Sequence, residues 1–315
     1  MHSNTIIALT MLLPLMFSSC RKELVYPSQM DAVKVDFDWQ NDTLANPEGM
    51  VVLFYPVDGG KPWRFDYSQM GGGTAILPSG EYRIVTHNND TDGVLYVDTN
   101  DFWNYSVTTM PTSLFAGLDL YYSKTGAPSS RTGSEQPVVV QPDIMWSDVV
   151  SDPPFNTSTG AITLYPRRIV TIVRYNVTDI KNLDQAAMMS AAVTGMAESI
   201  DFATGKCTDR IVTIPGDLMM DTPTTAHGYI TAFLNRHDEH HQHNLQLYFW
   251  LTDGKQCFFD IDVTKQFNDA PDPLNITINV SGIELPMSSG GSSGNTGGLG
   301  VGVDGWDRVD IELSN

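Results

Sequence analysis

Alternation with a period of two constrains this chain before anything else does. Val33, Val35, Phe37 and Trp39 fall on one side of an extended backbone and Lys34, Asp36 and Asp38 on the other, the pattern of a strand with one buried face. The apolar run Gly49–Pro56 and the segment Trp63–Tyr67 flank Asp58-Gly59-Gly60, which predicts a hairpin. Pro78-Ser79-Gly80 supplies turn dihedrals between Thr74–Leu77 and Glu81–Thr86, and predicts a second strand pair. Further strands are expected over Val94–Asp98, Trp103–Thr108, Leu118–Tyr122 and Pro137–Gln141, with Ser123–Glu135 as an exposed loop. Short strands punctuated by turn residues every eight to twelve positions or so indicate antiparallel sandwiches.

A domain boundary is expected around Ser151–Gly160, where Pro153 and Pro154 sit among polar residues and should end a sheet interior. Beyond it, Ile162–Ile180 reads as one long central strand, apolar on both faces. Asp184–Val193 has good helix formers and little β-branching, so it reads as a short helix or a small-residue strand. Strands resume at Arg210–Ile214, Tyr229–Asn235, Leu245–Thr252 and Cys257–Val263, the last two joined at Asp253-Gly254. Leu274–Glu284 follows, then a Gly/Ser-rich loop over 287–302, then a closing strand within Trp306–Leu313. The expectation is an all-β chain of two antiparallel β-sandwich domains in tandem, 31–155 and 156–315.

The N-terminus is a different kind of segment. Ile6–Phe17 is an apolar run too short to cross a bilayer core of roughly 30 Å, and it ends in the small residues Ser18-Ser19, so residues 1–19 read as an export signal. Phe17-Ser18-Ser19-Cys20 resembles the lipobox of bacterial lipoproteins, which makes Cys20 the lipid acceptor. Phe17 stands where Leu is commoner, and His2 is the only n-region residue able to carry positive charge. Residues 20–30 then form a polar tether. No other apolar run approaches 18 residues, so lipid is the only expected membrane contact. Eighteen Lys+Arg against 37 Asp+Glu, a net charge of −19, exclude a nucleic-acid partner, which needs clustered cations. Cys207 and Cys257 are too few for a disulfide framework; an exported chain can join them or keep two thiols.

Chemistry-bearing patterns are sparse. His237, His240, His241 and His243, interleaved with Asp238 and Glu239, are zinc or nickel ligand types. The cluster lies between two expected strands, where a hairpin tip would be, and an exposed polar tip needs no metal; no cofactor is expected. No nucleophile elbow, His-Glu-x-x-His, phosphate loop or dinucleotide fingerprint occurs. Asp260 and Asp262 alternate as on any solvated strand face. Trp39, Trp63, Trp103, Trp146, Trp250 and Trp306 are candidate sugar platforms, yet nearly all sit in or beside strand patterns that suit core tryptophans.

The order of Cys20-Arg21-Lys22-Glu23-Leu24, Pro142-Asp143-Ile144-Met145-Trp146, Pro166-Arg167-Arg168, Ser190–Ser199 and Gly282-Ile283-Glu284-Leu285-Pro286 resembles the fimbrillin-like lipoproteins of Bacteroidetes. That resemblance implies two transthyretin-like sandwiches, no enzyme activity and a place in or near a fimbria on the outer membrane. It also implies association with other fimbrial subunits by strand addition, in the role of anchor or accessory subunit. The alternative is a surface adhesin binding a host or glycan ligand. Pro166-Arg167-Arg168 has the form of a trypsin-like cleavage point, but at an expected domain start it reads as structural.

Overall fold

The computed structural model describes residues 29–68, 70–116, 118, 136–234 and 241–287, together with the backbone of 307–309. β1 (Met30–Phe37) carries the expected alternation, with Val33, Val35 and Phe37 turned inward. It pairs antiparallel with β4 (Gly73–Pro78) and parallel with β9 (Ala161–Leu164) in a three-stranded sheet. β2 (Met50–Pro56) is buried from Met50 to Tyr55 because both its faces are covered. It lies in a five-stranded sheet of order β10 (Arg167–Arg168), β8 (Trp146–Asn156), β5 (Glu81–Asn88), β2 and β3 (Trp63–Tyr67). The expected β2–β3 hairpin forms, with Phe54 opposite Trp63.

Two layers sandwich this sheet. On one face Val52, Phe54, Ile84 and Phe155 pack against Val35, Ala75, Leu77 and Leu164 of the first sheet. On the other, Val51, Leu53, Tyr55 and Val85 meet Val94, Val107 and Ile200. These come from a third sheet of order β13 (Ser199–Asp201), β7 (Ser106–Thr109) and β6 (Val94–Val97). The chain is thus all-β with antiparallel pairing dominant, as expected, and its first half adds a layer.

Three expectations are corrected here. Pro78-Ser79-Gly80 does not close a hairpin: β4 pairs with β1 and β5 with β2. Ala75 and Leu77 on one side of the turn and Tyr82 and Ile84 on the other share one apolar cluster, so burying both sets puts the two strands in facing sheets. Pro153 and Pro154 do not end the sheet. β8 runs through them as a bulge, its register stepping from Ile84 opposite Val150 to Tyr82 opposite Phe155, so the prolines sit where the ladder needs no N–H donor. Ile162–Ile180 is not one strand. Pro166 interrupts it, giving β9 on β1, β10 on β8, and β11 (Thr171–Thr178), so residues 161–168 pair with first-half strands.

β11 is central in a four-stranded sheet, between β16 (Thr225–Ala232) and β19 (Asn275–Ser281), with β15 (Met219–Thr222) outside β16. Its buried face, Val173, Tyr175 and Val177, packs with Ile230, Ile276 and Ile278 against Val193, Met196, Leu247, Phe249 and Phe259. Those belong to the facing sheet, of order β14 (Ile211–Gly216), β12 (Ala186–Ala197), β17 (Asn244–Leu251), β18 (Gln256–Asp262) and β20 (Asp307–Val309). The ambiguous stretch 184–193 therefore becomes a strand after one 3-10 turn, Leu183–Gln185. β17 is buried along its whole length, since Phe115 covers its outward Tyr248 and Trp250 edge-to-face at ring separations of 5.1 and 5.0 Å. One short helix, α1 (Thr264–Asn268), was not anticipated. Residues 288–302 of the Gly/Ser run fall outside the described residues, as do residues 119–122 of an expected strand.

The halves interlock. β13 follows β12 in the chain but pairs with β7, and Arg168 Nη2 donates to the Leu274 carbonyl at 3.0 Å, which holds the Pro166-Arg167-Arg168 segment against the start of β19.

Candidate functional site

The structure scatters the residues that the sequence singles out. Cys20, His237, His240 and Trp306 lie outside the described residues. His243 is buried and stacked on Phe267 at 4.3 Å, and His241 and His243 both line a small gap with Gly195 and Leu234. Among the described residues no group of three or more His, Cys, Asp or Glu is gathered to hold a metal. Cys207 packs by the cluster containing Phe202, whereas Cys257 is buried in the other core, opposite Phe249. Asp260 is not on a solvated face: it is buried and accepts a hydrogen bond from Asn244 Nδ2 at 2.7 Å, because the outer side of its sheet is covered. Asp262 is exposed and accepts from Thr264 N at 2.9 Å, capping the approach to α1.

Of the tryptophans, Trp146 and Trp250 are core residues and Trp39 is partly buried, its Nε1 donating to the Met70 carbonyl at 3.0 Å. Trp63 and Trp103 stay exposed, and the Arg83 guanidinium stands over the Trp103 ring at 5.2 Å.

Sheet edges are the other candidate surfaces. The β19 edge is blocked at Asn279, whose N–H and carbonyl are both taken by the Gln266 side-chain amide at 2.8 and 3.0 Å. The β3 edge carries the Arg64–Asp66 ion pair at 2.8 Å. β15 differs: among the described residues no strand lies on its outer side, and Met219 and Met220 are 46% and 47% exposed. Exposed Tyr229 lies next to it on β16, and Asp221 contacts His227 Nδ1 across the pair at 2.8 Å. An unpaired backbone row flanked by apolar side chains can accept a partner strand through main-chain hydrogen bonds. Sequence reasoning passed over β15, although Leu218-Met219-Met220 before the turn Thr222-Pro223-Thr224 carries an apolar-then-turn signal.

The seam between the halves buries His87 beside the tyrosines Tyr55 and Tyr105. The His87 ring stacks on Tyr96 at 4.6 Å and Phe202 at 5.2 Å, and burial holds its pKa down to about 4. Burial likewise pushes the Tyr67 hydroxyl up to about 12.

Layered antiparallel sheets, interlocked at a seam and, among the described residues, open along β15, define a β-rich scaffold. The chain belongs to the DUF5119 family, a domain of unknown function, which matches residues 18–217. It is 31% identical over 81 residues to a Bacteroides ovatus protein named "Putative fimbrium anchoring subunit Fim4B". That match spans 25% of this chain and only 24% of the relative. A crystal structure titled as a "putative adhesin" from Bacteroides ovatus superposes with TM-score 0.60 at 17% identity, covering 99% of this chain and 100% of the other. The fimbrial anchor protein Mfa2 from Porphyromonas gingivalis gives TM-score 0.50 at 13% identity, covering 80% and 91%. At those identities the two structures speak to the fold.

Proposed function

We propose that this chain is a non-enzymatic cell-surface lipoprotein that serves as an anchor or accessory subunit of a fimbria. Residues 1–19 direct export, Cys20 takes the lipid that fixes the chain to the outer membrane, and residues 20–30 space the folded body from the surface. The observation that carries the reading is the sequence likeness to a protein named as a fimbrium anchoring subunit. The open β15 edge supports it by supplying a place where another subunit's strand would add. The body would consist of two units, with the hand-over after Arg168, because β9 and β10 pair backward and β11 pairs forward.

The test is mass spectrometry on the chain isolated from a Bacteroidetes host that expresses the intact gene. Acylation of Cys20 together with co-purifying fimbrial subunits is the expected result. An acylated chain that emerges alone would shift the reading to a surface adhesin, and an unacylated one would remove the lipoprotein claim.

A further inference from the structure

A cavity of about 350 Å³ opens where β8 and the Tyr165–Ile169 segment face the turn after β13. Its size is at the small end of the roughly 300–1,000 Å³ usual for small-molecule sites. The fold creates it. Pro166 breaks the chain between β9 and β10, and the Asp201–Gly205 turn, closed by Asp201 N donating to the Lys206 carbonyl at 2.9 Å, arches over the gap from the other half. Phe202 and Ile200 make an apolar floor, and the half-exposed ring of Tyr165 makes a wall.

The polar groups on the rim are held still yet keep bonding capacity. Asp148 accepts from the backbone N–H of Val149 at 2.9 Å through one oxygen and of Tyr165 at 2.7 Å through the other. Asp201 Oδ1 accepts from Thr204 N and Oγ1 at 2.8 and 2.9 Å, while its Oδ2 makes no hydrogen bond among the described residues. Asn41 Nδ2 donates to the Tyr165 carbonyl at 3.0 Å, leaving its side-chain oxygen available. Arg167 lines the cavity, and among the described residues none of its five donors is committed to an ion pair or side-chain hydrogen bond.

We infer that this cavity binds a neutral carbohydrate one or two sugar rings in size. Two carboxylates oppose an anion, more so on a chain of net charge −19, and the guanidinium opposes a cation. What fits both signs at once is an uncharged ligand whose adjacent hydroxyls donate to Asp148 and Asp201 and accept from Arg167, with an apolar face to lie on Tyr165. Orientation would come from Asp148 and Asn41, which the backbone already fixes, so little side-chain freedom is lost on binding. This site is independent of the fimbrial reading and far in sequence from the exposed Trp63 and Trp103.

The test uses the full chain, titrated by saturation-transfer NMR and calorimetry with lactose, maltose, cellobiose and mannobiose, and with N-acetylneuraminic acid as the charged comparator. The expected result is saturable binding of at least one neutral disaccharide, weakened at least tenfold in Tyr165→Ala and in Arg167→Ala. Both residues are exposed, so both variants should melt with the parent, and Trp103→Ala should bind unchanged. Failure of all four disaccharides to bind overturns the inference. So does binding that survives both cavity substitutions, binding lost with Trp103→Ala, or preference for the acidic sugar.

Discussion

His87 Nε2 lies 2.7 Å from the Tyr105 hydroxyl, and the contact fixes which way the protons run. Nδ1 is 2.7 Å from the Asn88 carbonyl, an acceptor only, so Nδ1 carries the hydrogen and Tyr105 donates to a bare Nε2. Protonating Nε2 would turn this bond around, with Nε2 donating to the Tyr105 oxygen, and would put a positive charge in a buried site. The folded-state pKa of about 4 lies below the ordinary 6.5 because burial penalises the cation. The unfolded chain therefore binds this proton first. Stability from His87 is complete above about pH 6.5, falls as pH drops toward 4, and changes little below that. The total is on the order of 3 kcal/mol. Urea unfolding at intervals from pH 7.5 to 4 should show this slope in the parent and lose it in His87→Phe. Equal slopes in the two chains would mean that His87 is not the titrating group.

Trp146 secures the start of β8 through both its backbone and its ring. Its N–H donates to Asn88 Oδ1 at 2.9 Å, its indole Nε1 donates to Asp42 at 2.8 Å, and its ring meets Trp39 edge-on at 6.3 Å. Trp146→Phe keeps most of the packing and loses one charge-assisted bond, for an expected cost of about 1–2 kcal/mol. Trp146→Ala leaves a cavity as well and should cost about 3–5 kcal/mol. Equilibrium denaturation ranks them, and an equal loss for both would show that the indole bond carries the effect.

Much of this fold was legible because single-strand patterns are local. The alternation of Val33, Val35 and Phe37 identified β1, and Asp253-Gly254 located the β17–β18 turn. Pairing was less legible, since partners are chosen by what must be buried together. Nothing near Pro78 says that Leu77 and Ile84 lie across a core from each other rather than side by side. The cavity was invisible for the same reason. Asn41, Asp148, Arg167 and Asp201 meet only after β10 pairs with β8 and β13 crosses to β7. Even so, Pro166-Arg167-Arg168 stood out in the sequence and proved to border that cavity. His243 was grouped with an exposed tip by spacing alone, whereas its ring belongs to the core beside Phe267.

Gly195 sits at φ +80°, within the register break of β12 between Val193 and Met196. A Cβ there would collide with the Gln242 carbonyl and approach His243 Nδ1 to 2.8 Å. Gly195→Ala therefore meets both a disfavoured backbone angle and a backbone clash, and should destabilise by about 2–3 kcal/mol. Gly59 also has positive φ, but a Cβ added there would meet nothing within 4 Å, so Gly59→Ala should cost about 1 kcal/mol or less. Thermal melts of the two variants side by side test the distinction, and equal losses would contradict it.

The β15 edge gives the sharpest separation of assembly from folding. Met219 and Met220 contribute little to the core, so Met219→Lys/Met220→Lys should leave stability within about 0.5 kcal/mol of the parent. Lysines on an edge strand oppose strand addition by placing charge where an incoming strand would bury it. The double variant, expressed in the same host as the parent, should still reach the surface but recover markedly less of the fimbrial subunits in pull-down. A core control, Phe259→Ala, should instead melt early, by about 3–5 kcal/mol, because its fully buried ring packs on Phe249 at 5.7 Å. Undiminished subunit recovery with the lysine variant would move assembly away from β15, to another edge such as β4, whose Ile76 is also exposed.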